Sequence, residues 1–97
     1  MADYKLFEQI EDEMQGAVKY AKKAMHTKTT DRELADTYYA MAKQELNHAE
    51  TLHMQAQRIL KKHPEEHGMQ YVYDWIHDKM VGWKKDLRAL MEEYERA

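Results

Sequence analysis

From Met69 to Tyr94 an apolar side chain returns at alternating steps of four and three, through Tyr73, Ile76, Met80, Trp83, Leu87 and Leu90, without a miss. A helix puts such positions on one face, whereas a strand needs a period of two. The seam therefore predicts a helix of roughly 40 Å at 1.5 Å per residue, with one side to bury. It packs against the rest of the chain, or part of it packs against another subunit. Pro64-Glu65-Glu66 combines the proline and acidic residues favoured in a first helical turn, which places the start of this helix near residue 65 and its end near 96.

Three glycines and one proline in 97 residues leave few places for the chain to break, so the remainder also reads as long helices. Phe7, Ile10, Met14, Ala17, Ala21 and Ala24 step by three and four, giving a helix near 4–26 with Asp3 as a candidate cap. Thr30-Asp31-Arg32-Glu33 matches a capping box in which Thr30 and Glu33 satisfy each other's amides. A second helix then runs over 31–62 through Leu34, Tyr38, Met41, Glu45, His48, Leu52, Ala56 and Ile59, and ends before Pro64. Residues 1–97 are thus expected to form one all-α domain, an antiparallel helical hairpin followed by a long third helix. A chain this short buries a smaller fraction of its surface than a larger one does, which favours association.

Composition removes several classes of function. A net charge of −3 gives no general attraction for nucleic acid or anionic lipid, and no apolar run reaches a membrane-spanning length. The absence of cysteine excludes thiolate metal sites and thiol catalysis and suggests the cytoplasm.

Glu45 and His48 are the anomaly in the second helix. They fall at positions where the period calls for apolar side chains, and an unpaired buried carboxylate costs several kcal/mol. At i and i+3 they share a face and can grip one metal ion. Glu13, on the first helix beside Ile10 and Ala17, lies about sixteen residues before residue 29, and Glu45 about sixteen after it. An antiparallel hairpin brings the two glutamates level, each roughly 24 Å from the turn. One Glu plus one Glu-x-x-His is half the ligand set of a carboxylate-bridged di-iron site, so two chains would complete it. Glu-x-x-His also recurs by chance in charged helices, as a solvated pair or a carboxylate-capped core histidine. Tyr20 and Tyr38 stand seven residues from Glu13 and Glu45. Either could donate a hydrogen bond to a ligating carboxylate, or be a core tyrosine with a wet hydroxyl. Glu8, Glu11 and Asp12 add negative charge upstream. His26, His53, His63 and His67 have no such support, and Asp74, His77 and Asp78 have spacing for a surface ion or simply form a solvated face.

On these residues the chain resembles the ferritin-like superfamily. Glu13-Met14-Gln15-Gly16-Ala17-Val18-Lys19-Tyr20 is similar to the first-helix Glu and following Tyr of rubrerythrins and encapsulated ferritins, and Glu45-Leu46-Asn47-His48 is similar to their second-helix motif. The likeness covers roughly residues 6–60. With one hairpin per chain, it is nearest in kind to the half-size encapsulated ferritins. The resemblance implies a ferritin-like four-helix bundle formed by a homodimer, or a ring of dimers, with two irons per dimer. It implies Glu13 as terminal ligand, Glu45 as bridge and His48 binding through one ring nitrogen, with manganese or zinc as substitutes. The implied activity is a ferroxidase, oxidising ferrous to ferric iron with dioxygen or peroxide for storage or detoxification. Association with a protein compartment is also implied, although the chain finishes Glu92-Glu93-Tyr94-Glu95-Arg96-Ala97 without a recognisable targeting tail. Two other readings stand beside it: a rubrerythrin-like peroxide reductase with a separate electron donor, and a non-enzymatic helical oligomerisation module.

Overall fold

The computed structural model describes residues 4–96, which form the helices α1 (Lys5–Thr27), α2 (Arg32–Lys62) and α3 (His67–Glu95), with no strand among the described residues. The expected boundaries are met to within two residues at each end. The proposed Asp3 cap lies outside the described residues. At the start of α2 the cap is Asp31, whose carboxylate accepts from the Leu34 amide at 3.0 Å, while the Thr30 hydroxyl turns back to the Thr27 carbonyl at 3.3 Å. The expected Thr30–Glu33 box is therefore replaced by a simple aspartate cap one residue later. Asp is as good a cap as Thr or better, and takes the position that satisfies the third amide of the helix.

α1 and α2 form the antiparallel hairpin, and α3 returns parallel to α1 and lies chiefly on it, with sparser contact to α2. One end of the core gathers Phe7, Ile10, Leu60, Met69, Tyr73 and Ile76. The middle is built from Ala17, Ala21, Ala42 and Leu87. The far end holds Ala24, Ala35, Tyr39 and Tyr94. There Tyr94 donates to Asp36, Tyr39 donates to Glu95 and the Lys28 ammonium donates to the Tyr94 carbonyl, which ties α3 to the hairpin turn. The Asp36 carboxyl is held below the ordinary range by the Tyr94 hydroxyl, with Arg32 and Lys28 adding to that against the effect of burial.

The α3 seam faces this core: Met69, Tyr73, Ile76, Met80, Leu87 and Tyr94 are buried and Trp83 and Leu90 half-buried. Its partner is the chain's own hairpin. The α2 stripe needs correction. The buried face is Ala35, Tyr39, Ala42, Ala49, Ala56 and Leu60, one position round the helix from most of the expected set. Its four alanines recur every seventh residue: Ala35 clusters with Ala24 of α1, Ala42 with Ala17 and Ala21, and Ala49 and Ala56 with Phe7, Ile10 and Met14. Small side chains let two helices approach closely, so the larger residues Tyr38, Met41, Leu52 and Ile59 are pushed to the flank, half-buried, and Leu34 is exposed.

Candidate metal centre

The shift of the buried face sets the character of the polar cluster. Glu45 and His48 stand on the flank of α2, where Glu45 is half-buried and the His48 side chain is 55% exposed, against 20% for Glu13. His48 is thus not a core residue, contrary to the stripe reading. It stands at the lip of the cluster.

The hairpin sets Glu13 level with Glu45, and ligand atoms of Glu13, Glu45 and His48 all lie within 4.8 Å of one another. His48 Nδ1 is 3.4 Å from Glu13 Oε2. That is ion-pair distance without hydrogen-bond alignment, because the same Oε2 atom is buried and has no hydrogen-bond partner. A buried carboxylate oxygen without a donor costs free energy unless a proton or cation reaches it. Glu45 shows the same tension. Its carboxyl is raised above the ordinary carboxylate range, first by hydrogen bonding with the Glu13 carboxyl, then by burial and by the Glu13 charge, with His48 pulling the other way. Two carboxylates brought this close favour one shared positive charge.

Gly16 is a member of the site that the sequence reading did not single out. A Cβ at Gly16 would stand 3.0 Å from Glu45 Oε2, so the carboxylate rests against the bare backbone of α1. Glycine inside a helix costs about 1 kcal/mol relative to alanine. Its position three residues after Glu13, one turn along the same face, was the available signal, since a glycine there gives up helix stability that an alanine would keep. The facing elements are therefore Glu13-x-x-Gly16 on α1 and Glu45-x-x-His48 on α2.

Tyr20 and Tyr38 come together on each other. Their rings stack at 6.2 Å between centroids, with the Lys23 ammonium 5.7 and 5.6 Å from the two ring centres. Among the described residues no hydrogen bond joins either hydroxyl to Glu13 or Glu45. Glu8 and Asp12 are exposed, and Glu11 accepts from Gln15 at 3.4 Å. His26, His63 and His67 are exposed at helix ends, Asp74 accepts from Gln70 at 2.9 Å, and among the described residues Asp74, His77 and Asp78 do not converge as Glu13, Glu45 and His48 do.

No family model, curated protein or solved structure matches this chain. The chemistry of the cluster is therefore read from its own donors. Two carboxylates and one imidazole suit iron, manganese or zinc, and three donors leave coordination positions open on the side where His48 reaches solvent.

Proposed function

We propose that Glu13, Glu45 and His48 are the half-site of a di-iron ferroxidase, completed when two copies of the chain set their α1–α2 hairpins together as a four-helix bundle. The observation that carries this reading is the orphaned, buried Oε2 of Glu13 beside a second carboxyl and an imidazole, a donor set with no internal cation. The resemblance of residues 6–60 to ferritin-like hairpins supports it. So does the half-buried flank of Tyr38, Met41, Leu52 and Ile59, which runs along the same side of α2 as Glu45 and gives a second copy an apolar surface to cover.

In this reading Glu45, rested against Gly16, would be the bridging carboxylate, as the resemblance implies. Glu13 is the terminal ligand, and His48 binds through Nδ1, the nitrogen that faces Glu13. Ferrous iron is the substrate and is oxidised to the ferric state by dioxygen or peroxide. The protein's contribution is geometric and electrostatic. Rigid helices hold the ligands at fixed separation, the raised proton affinity of Glu45 is exchanged for metal charge, and hard carboxylate oxygens favour the ferric product. Manganese or zinc would fill the same donors without the same turnover.

Stopped-flow oxidation of ferrous iron tests the proposal. Glu45→Ala and His48→Ala are each expected to abolish the fast phase, and wild-type rates in both would overturn it. The half-buried apolar flank is also what a purely oligomeric helical module would present; a dimer that binds no iron on ferrous loading would establish that reading instead.

A further inference from the structure

Away from the Glu13–Glu45–His48 cluster, α2 and α3 bring two histidines together that the proposed chemistry does not use. His53 is half-buried on α2 and His77 is exposed on α3. Their ring nitrogens, His53 Nε2 and His77 Nδ1, stand 3.3 Å apart. The two rings are 5.2 Å apart between centroids, and His53 also stacks on the buried Tyr73 ring at 4.8 Å. This packing fixes the orientation of the inner imidazole.

The separation is informative. At this separation one imidazole hydrogen-bonds the other, and it is also the spacing, roughly 3.3–3.4 Å, of two nitrogens each about 2.0–2.1 Å from one tetrahedral ion, which would replace the shared proton. The hydrogen-bonded pair is thus already set at chelating distance. We propose that His53 and His77 are the two protein ligands of a second metal site, one that bridges α2 and α3 and takes a borderline divalent ion such as zinc, with water in the remaining positions.

The surroundings favour it. Burial, the neighbouring His77 and then Lys84 hold His53 below the usual histidine range, which keeps the imidazole neutral and its lone pair available. Lys84, the nearby cation, is itself paired with Glu50 at 3.1 Å, while Asp74 and Asp78 add negative charge on the α3 side. The location also gives the site a consequence. α3 lies chiefly on α1 and only lightly on α2, so an ion held by one ligand from each would close the weakest seam of the bundle.

Zinc titration of the full chain, followed by the imidazole proton resonances and by the thermal midpoint, tests this directly. In the wild type, the His53 and His77 ring signals should move together at the same zinc concentration, and the midpoint should rise. The rise should persist in Glu45→Gln, which weakens the other site, and should be lost when His77→Gln, a change at an exposed position whose fold is checked by circular dichroism, is added to it. His53 and His77 signals that stay still while zinc reaches the other histidines would overturn the proposal, as would a Glu45→Gln, His77→Gln chain that binds as many zinc ions as Glu45→Gln alone with the same midpoint shift. Because this site shares no ligand with Glu13, Glu45 and His48, either can fail without the other.

Discussion

Glu45 sits in a position that is uncomfortable without a cation, and that discomfort can be measured. Its folded-state pKa is raised, so the folded chain holds the proton more tightly than the unfolded chain. The resulting stability is complete below the unfolded pKa and is lost as pH rises through the folded one. At neutral pH the ionised carboxylate therefore strains the metal-free fold. Glu45→Gln is expected to raise the thermal midpoint of metal-free protein at neutral pH and to lose that advantage in acid, below the ordinary carboxylate range. A lowered midpoint at neutral pH would contradict the assignment. Gly16 offers the complementary test. Gly16→Ala gains helix propensity of about 1 kcal/mol but places a methyl 3.0 Å from Glu45 Oε2, so it should weaken iron binding without lowering the metal-free midpoint. Unchanged iron affinity, measured by titration, would show that the bare backbone there is not part of the site.

At the scale of elements, the alanine row of α2 decides which side chains are buried and which remain on the flank. Ala42 is fully buried against Ala17, Ala21 and Leu87. Ala42→Leu would force the hairpin apart and should cost about 1–3 kcal/mol in denaturant unfolding, and it should also spread Glu13 from Glu45. A neutral effect would mean that the two helices are not closely packed. The helices themselves were legible from the sequence because the α1 and α3 stripes alternate cleanly with polar residues. Only one face was available, and it is the buried one. On α2 the period was ambiguous. Tyr38, Met41, Leu52 and Ile59 each carry more apolar surface than alanine, so the larger stripe reads as core although close approach selects the smaller one. The levelling of Glu13 with Glu45 survived this error because distance from the turn depends on residue count and not on helix rotation. The exposure of His48 did not survive it, and Gly16 and the His53–His77 contact, which depend on which residues face one another across helices, could not be read from periodicity.

The chain as a whole is a narrow body, 52 × 18 × 15 Å, whose third helix covers one side of a hairpin and leaves the flank bearing His48 open. A single copy gathers two carboxylates and one imidazole; a two-fold pair gathers twice that. No described helix is long and apolar enough to cross a membrane. The central claim is that this flank meets its own equivalent around a pair of metal ions. Native mass spectrometry of the wild-type chain loaded anaerobically with ferrous iron tests that claim most directly, because assembly size and metal count appear in one spectrum. The expected species is a dimer, or a multiple of it, carrying two iron ions for every two chains, with the iron lost in Glu13→Ala. Monomers that bind iron, or dimers that carry none, would contradict it.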